Sequence, residues 1–100
     1  MEIVWTLAAD LDLQVIYERL DTHKSGIGDL FFEAVLEKTR QLQIFPRIGS
    51  VVHRGFIRRV LVFERWYGLF YSVESRGIIL HAVLDLRRNP EHIEQRLGQI

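Results

Sequence analysis

The sequence lacks cysteine altogether and contains only two prolines in 100 residues. Without cysteine the chain has no disulfide, no thiolate metal ligand and no thiol nucleophile, so packing and hydrogen bonds must hold its core together. It also lacks an apolar run near the roughly 20 residues that a membrane-spanning helix requires. The N-terminus, MEIVWTLAAD, opens with an acidic residue in place of the basic head of a signal peptide. We therefore expect a soluble, cytoplasmic protein with no membrane partner.

Length and histidine spacing limit the function further. A hydrophobic fraction of 48% in so short a chain is enough for one core and too little for two, so residues 1–100 are expected to form a single domain. The four histidines are His23, His53, His81 and His92. No two of them have the local spacing of a zinc site, and no glutamate stands between two of them on one helix. We expect neither a metal nor another cofactor.

The chain also lacks a net charge, which is zero at pH 7, but its charged residues are unevenly distributed. Residues 1–45 carry four basic and eight acidic side chains, a balance of −4, while residues 46–100 carry nine basic and five acidic side chains, a balance of +4. Eleven of the thirteen basic residues are arginines, whose planar guanidinium binds carboxylate or phosphate. The C-terminal half is therefore expected to meet an anionic partner, either phosphate or an acidic protein segment. A solvated, arginine-rich sheet face is the alternative.

Hydrophobic periodicity predicts a short strand and then a helical hairpin. The strand is Ile3–Trp5, and the turn-forming segment 21–28 separates two stretches of helical spacing. The residues that repeat at this spacing are Ala9, Leu13, Ile16, Tyr17 and Leu20, and then Phe31, Phe32, Val35, Leu36, Thr39 and Leu42. Pro46 ends the second helix. The apolar stripes of both helices are expected to pack on a sheet.

Three more strands are predicted in the second half: 55–63, 67–74 and a strand after the turn Ser75-Arg76-Gly77. Alternation places Arg58 and Arg59 on opposite faces of the first. In the second, Tyr71 is expected to be a core residue whose hydroxyl finds a partner. In the third, the alternation predicts one apolar row and one mixed, outward face that includes His81 and Asp85. The apolar row is Leu80, Ala82, Leu84 and Leu86.

A short final helix completes the predicted fold. Asn89 is a favourable N-cap, and Pro90 suits the first helical position. The predicted order is β-α-α-β-β-β-α, an α+β fold in which an N-terminal helical hairpin packs on a mainly antiparallel four-stranded sheet with a short C-terminal helix.

Several short motifs accompany this order and together extend over nearly the whole chain. They are Trp5-Thr6, Phe45-Pro46-Arg47-Ile48-Gly49, Ile57-Arg58-Arg59, Phe63, the run WYGLFYSVE at 66–74 and the run ILHAVLDLRRNP at 79–90. Each motif alone is a weak signal. In this order and spacing, the chain resembles the RelE/ParE superfamily of type II toxin–antitoxin toxins, and within it the ParE branch.

The resemblance implies a bacterial toxin with a role in plasmid stabilization, neutralised by a cognate antitoxin in a hetero-oligomer. ParE-type members are thought of as inhibitors of DNA gyrase, and such a toxin needs a binding surface instead of catalytic residues. The residues expected at that surface, for the target or the antitoxin, are Arg58, Arg59, Trp66, Tyr67, Arg87 and Arg88. Trp66 and Tyr67 are expected to be exposed. Alternatively, Arg87 and Arg88 form ion pairs within the domain, with Asp85, Glu64 or Glu91.

Two other functions stay open at this point. RelE-type members cleave messenger RNA on the ribosome, and a nuclease of that kind would use Arg58, Arg59, Arg87 and His92 here, with His92 as general acid or base. That set departs from the pattern, because Gly68 stands where nuclease members commonly carry an arginine and the usual C-terminal tyrosine has no counterpart. The third alternative is a non-toxic interaction module of the same fold.

Overall fold

The computed structural model describes residues Met1–Ile100. The elements are β1 (Ile3–Trp5), α1 (Leu7–His23), α2 (Ile27–Ile44), β2 (Ser50–His53), β3 (Ile57–Val62), β4 (Tyr67–Glu74), β5 (Gly77–Asp85) and α3 (Pro90–Gly98). The α+β class, the helical hairpin and the final helix agree with the prediction. None of the three helices combines the length and the apolar character needed to cross a bilayer.

The predicted count of four strands is wrong, because the sheet has five. The missed strand is β2, which has only four residues and shows no alternation of buried and exposed side chains that a sequence pattern could reveal. The strand order is β1-β5-β4-β3-β2. The pairing of β1 with β5 is parallel and the other three pairings are antiparallel, so the sheet is mainly antiparallel, as predicted.

At the starts of α1 and α2, a nearby side chain accepts a hydrogen bond from a backbone N–H group. The Thr6 hydroxyl accepts the Ala9 N–H at 3.2 Å and donates to the Leu80 carbonyl at 2.8 Å, which ties the start of α1 to β5. The start of α2 lies at Gly26, whose φ of +93° suits glycine. The Asp21 side chain accepts the Gly26 N–H. Because α1 continues to His23 and α2 begins at Ile27, the turn is shorter than the predicted segment 21–28.

The hairpin packs on one face of the sheet and forms the larger core with it. The fourteen buried residues of this core are Ala9, Leu13, Ile16, Phe31, Val35, Leu42, Val60, Val62, Tyr67, Leu69, Tyr71, Ile78, Leu80 and Val83. The predicted apolar stripes supply six of the fourteen, three from each helix, whereas Phe32 of the second stripe is 36% exposed. Burial of this much apolar surface is the main favourable term in folding.

β5 contributes to two cores because its alternation changes at a bulge. Phe70 pairs with Ala82, but the next residue of β4, Tyr71, pairs with Leu80, so His81 is an extra residue in β5. Leu80 therefore belongs to the core under the hairpin, whereas Ala82 belongs to a second core under α3. The predicted single apolar row of β5 is wrong for this reason. The row is divided between the two faces, with Leu80 on one and Ala82, Leu84 and Leu86 on the other.

α3 closes the second core and is held by an ion pair. Its partly buried Ile93 and Leu97 cover the sheet face opposite the hairpin. The Arg96 guanidinium donates to both carboxylate oxygens of Asp12 in α1, each at 2.7 Å. β1 pairs with β5 only as far as Leu80. Beyond that point, Asp12 accepts the Val83 N–H at 3.0 Å. One carboxylate thus joins α1, β5 and α3.

We expect the substitution Asp12→Ala to lower the free energy of unfolding by about 2 kcal/mol, because it leaves the Val83 N–H and the largely buried Arg96 without their acceptor. The matched control is Glu37→Ala, which removes the carboxylate of an exposed helical pair with Arg40 and should cost less than about 0.5 kcal/mol. Urea unfolding of both variants measures the difference. Equal losses in the two variants would contradict the structural role of Asp12.

Candidate functional site

The turn between β3 and β4 brings aromatic rings to one end of the sheet. Phe63, Glu64 and Arg65 have φ values of 56°, 63° and 74°, a region that residues other than glycine seldom adopt. This backbone directs Phe63 toward the hairpin, where its ring meets Phe31 edge-on at 5.6 Å. Alternation along the predicted strand 55–63 would place Phe63 on the face opposite Val60 and Val62, but its ring packs against the same core as they do, so that expectation is wrong.

Trp66 and Tyr67 differ sharply in exposure. The Trp66 side chain is 43% exposed, as predicted, but Tyr67 is 1% exposed, so its predicted exposure is wrong. Tyr67 begins β4 and alternates into the hairpin core, where its ring lies 4.9 Å from that of Phe31. Burial and the nearby Asp85 raise the pKa of Tyr67 above its ordinary value. Only its hydroxyl reaches the surface site, where it accepts from Arg87 at 3.2 Å.

Arg87 is the centre of this site. Its Nε and Nη2 donate to the two carboxylate oxygens of Asp85 at 3.0 and 3.1 Å. Its guanidinium carbon lies 4.7 Å from the ring centroid of Trp66 and 5.4 Å from that of Tyr67, within the range of cation–π attraction. The side chain is still 49% exposed. The ion pair within the domain therefore orients Arg87 and leaves part of its guanidinium open to a partner.

Arg87 lowers the pKa of the Asp85 carboxyl. Burial by itself raises the pKa of the Asp85 carboxyl, but hydrogen bonds from the side chain and backbone of Arg87 outweigh this effect and hold the pKa below its ordinary value. Arg88 stands beside them, exposed, with its Nε 3.8 Å from Asp85. Of the ion pairs predicted for the arginine pair, those with Asp85 are therefore present.

These side chains line a cleft of about 590 Å³ between the end of α1 and the end of β5. We call it the arginine–tryptophan cleft. Its lining residues are Arg19, Leu20, His23, Lys24, Ile27, Phe63, Trp66, Tyr67, Asp85, Arg87 and Arg88. Sequence reasoning missed Arg19 and Lys24, because they belong to the half of the chain in which acidic residues dominate. Both residues lie near the C-terminal end of the predicted first helix, where basic side chains are favoured, and this position was the signal that could have found them.

Arg58 lies elsewhere and has a structural role. Its Nη1 donates to the carbonyls of Arg47 and Gly49, at 3.0 and 2.7 Å. The Tyr71 hydroxyl fixes the same loop, because it donates to the Pro46 carbonyl at 2.7 Å and accepts the Gly49 N–H at 2.9 Å. Tyr71 is thus a core residue with a satisfied hydroxyl, as predicted. Burial is the main cause of its raised pKa.

The four residues of the predicted nuclease set do not form one cluster. Arg58 pairs with Tyr71, four residues along β4 from the cleft, or roughly 13 Å at the rise of a strand. Arg59 points to the opposite face of β3, and His92 lies exposed on α3. Gly68 has no room for a side chain, because a Cβ atom there would lie 2.9 Å from the Phe70 ring.

The remaining histidine of interest, His81, makes a structural hydrogen bond. Its Nε2 lies 2.8 Å from Oγ of Ser72, which donates to Glu74 at 2.6 Å. Asp85, which the predicted alternation placed on the same face of the strand as His81, is not its hydrogen-bond partner. Burial lowers the pKa of His81, which favours the neutral ring. Nowhere in the chain do three His, Asp or Glu side chains come together as metal ligands would.

Nine chains of solved structures match this architecture. A chain of the "Chromosomal ParDE TA system from P. aeruginosa" aligns with 85% of this chain and 95% of its own length, with a TM-score of 0.73 and 20% sequence identity. No family model matches the sequence, and no curated protein matches it. At this identity the likeness shows the fold alone, and the predicted α+β fold is the one that this ParDE chain has.

We expect Asp85→Asn to destabilise the protein at neutral pH by about 1 kcal/mol, since the exposed side of the pair with Arg87 is screened by solvent. The pKa of Asp85 is lower in the folded chain than in the unfolded chain. Its contribution is therefore full above pH 4 or so and is lost as the pH falls through the folded value.

The measurement is the difference in unfolding free energy between wild type and Asp85→Asn from pH 7 to pH 2.5. The difference should shrink at acid pH, while Glu37→Gln, which alters an exposed pair, should stay close to wild type throughout. A difference that does not change with pH would show that the ionised carboxylate of Asp85 is not what holds Arg87.

Proposed function

We propose that this chain is the toxin of a type II toxin–antitoxin system of the ParE kind, that a cognate antitoxin neutralises it in a hetero-oligomer, and that it acts in the cytoplasm. Its target in this proposal is DNA gyrase, which it inhibits by binding. The likeness to the ParDE system supports the class of toxin. The arginine–tryptophan cleft supports inhibition by binding, and it is the observation on which the proposal depends.

The cleft has the chemistry of a protein interface. Arginine and tryptophan are enriched among the residues that dominate binding energy, and here Arg87 and Arg88 stand exposed beside Trp66. Asp85 and the two rings already hold Arg87 in one orientation, so a partner loses less side-chain entropy when it binds. Arg19 and Lys24 extend the positive surface, which suits an acidic patch on the target.

The dispersed nuclease set also favours binding over catalysis. Cleavage by an attacking 2′-hydroxyl needs a proton acceptor and positive charge positioned together around one phosphate. Arg58 is engaged with two backbone carbonyls, and Arg59 lies on the other sheet face from it. Ribosome-dependent cleavage of messenger RNA and the absence of toxicity are accordingly the two results that would contradict the proposal.

The test combines induction of the chain alone in bacteria with a supercoiling assay on purified gyrase. Wild type should arrest growth with broken DNA and intact message. Arg87→Ala/Arg88→Ala should raise the concentration needed to inhibit gyrase at least about 30-fold, the effect of losing one 2 kcal/mol anchor. The matched control is Arg40→Ala/Arg76→Ala, which removes two exposed arginines outside the cleft and should shift it less than about twofold.

Each other outcome overturns a named part of the proposal. Cleaved message with intact DNA would assign the chain to the ribonucleases. Normal growth with folded protein present would leave a non-toxic interaction module. Arrest that both double variants relieve equally would show that overall charge, and not the arginine–tryptophan cleft, carries the activity. Co-expression of the protein encoded beside this chain should restore growth if that protein is the antitoxin.

A further inference from the structure

The turn between β3 and β4 differs from the other two hairpin turns of the sheet, each of which has a glycine in it or directly beside it. In the turn between β2 and β3, the Phe56 N–H donates to the His53 carbonyl at 3.2 Å. The central residues of that turn, Arg54 and Gly55, have φ values of 51° and 75°. The turn between β4 and β5 leads into Gly77, whose φ is +138°. Both turns thus place glycine at a positive φ, where other residues are strained.

The turn between β3 and β4 has the same hydrogen bond without the glycine. The Trp66 N–H donates to the Phe63 carbonyl at 3.2 Å, and the central residues, Glu64 and Arg65, have φ values of 63° and 74°. Positive φ at both central positions marks a type I′ turn, for which Asn-Gly is a preferred pair. Phe63 in front of them has a φ of 56° as well. The backbone is therefore strained at three consecutive residues.

Two of these three residues make no ion pair that would offset the strain. Glu64 and Arg65 are exposed, and neither takes part in a salt bridge within the chain. The third residue, Phe63, packs edge-on against Phe31 at 5.6 Å and against Trp66 at 6.2 Å, which anchors the turn to the core. Packing thus compensates for the strain at Phe63, whereas an Asn-Gly pair at the two central positions would form the same turn at a lower cost.

The turn forms one rim of the arginine–tryptophan cleft. Phe63 and Trp66 line the cleft, and the guanidinium carbon of Arg87 lies 4.7 Å from the Trp66 ring. Glu64 and Arg65 lie between these two lining residues in the sequence, so a partner that fills the cleft meets them. Strained backbone of this kind is concentrated at binding and catalytic sites, where it presents side chains in a geometry that an unstrained turn would not hold.

We propose that Glu64 and Arg65 bind the target protein at the rim of the cleft, beside Trp66, and that the strained turn holds them in the binding geometry. The inference rests on the proposed function, because it assigns further contacts to the same inhibitory surface. Adjacent side chains of opposite charge suit a protein surface that presents an acidic and a basic group. A phosphate backbone would repel Glu64. The partner at this rim is therefore the protein part of gyrase and not the DNA bound to it.

The test variant is Glu64→Asn/Arg65→Gly, which supplies a preferred type I′ pair and leaves the net charge unchanged. The midpoint of its thermal unfolding should rise by at least about 2 °C, because the strain is relieved. The concentration needed to inhibit purified gyrase should also rise, by at least about tenfold, because two contacts are lost. A gain in stability with a loss of inhibition is a combination that a purely structural role of the turn would not produce.

The matched control is Arg54→Asn, which creates an Asn-Gly pair in the turn between β2 and β3 and removes an exposed 3.4 Å hydrogen bond to the Ile100 oxygen. Because Arg54 does not line the cleft, inhibition should change less than about twofold. A second variant, Glu64→Arg/Arg65→Glu, exchanges the two charges and keeps the net charge and the strained backbone. It should unfold within about 2 °C of wild type and inhibit at least about fivefold less well. This loss would separate the side chains from the backbone geometry.

Several results would overturn the inference. An Asn-Gly variant that unfolds at or below the wild-type temperature would show that the turn is not strained. Undiminished inhibition by that variant, or by the charge-exchanged one, would show that Glu64 and Arg65 do not contact the target. Stronger inhibition by Glu64→Gln would assign the rim to DNA phosphates.

Two further outcomes distinguish the inference from the proposals on which it rests. Undiminished inhibition, combined with loss of rescue by the protein encoded beside this chain, would assign the rim to the antitoxin. A wild type that does not inhibit gyrase would overturn the proposed target itself, and the inference with it. An active wild type with equally active variants would overturn the inference alone.

Discussion

The extra residue in β5 is the constraint on which the rest of the structure depends. β5 lies inside the sheet and is buried on both faces, so its alternation decides which side chains enter which core. The bulge at His81 sends Leu80 to the hairpin core and Ala82 to the core under α3. The same change of phase turns Asp85 toward the hairpin side, opposite Tyr67, where it can hold Arg87. The architecture of two cores and the geometry of the cleft therefore have one origin.

The two ends of the sheet carry different kinds of positive surface. In the arginine–tryptophan cleft, Asp85 and two aromatic rings restrain Arg87, so the cation is presented in a fixed position. At the other end, Arg58 donates to the carbonyls of Arg47 and Gly49, and Arg54 donates to the Ile100 oxygen at 3.4 Å. A guanidinium that is fixed and half exposed favours recognition of a partner, whereas guanidinium groups that donate to backbone oxygens stabilise the fold.

Much of the fold was predictable because local patterns and tertiary packing agree. The helical hairpin, the strand at 67–74 and the Asn89 cap all lie where the prediction placed them. The errors arose where long-range pairing overrides the local pattern. β2 exists only because β3 pairs with it, and the bulge in β5 appears only in its register with β4. No property of single residues signals either feature.

By itself, the sequence determined the α+β class, the helical hairpin and the uneven charge, since these follow from periodicity and composition. The resemblance to a toxin family, and not the periodicity, named Trp66, Arg87 and Arg88 as surface candidates. Only the tertiary structure decided that Tyr67 is buried and that Arg58 serves a loop. It also added Arg19 and Lys24 to the cleft and left β2 as an open edge. The physical reason is that these features depend on contacts between segments far apart in the chain, and strand register sets those contacts.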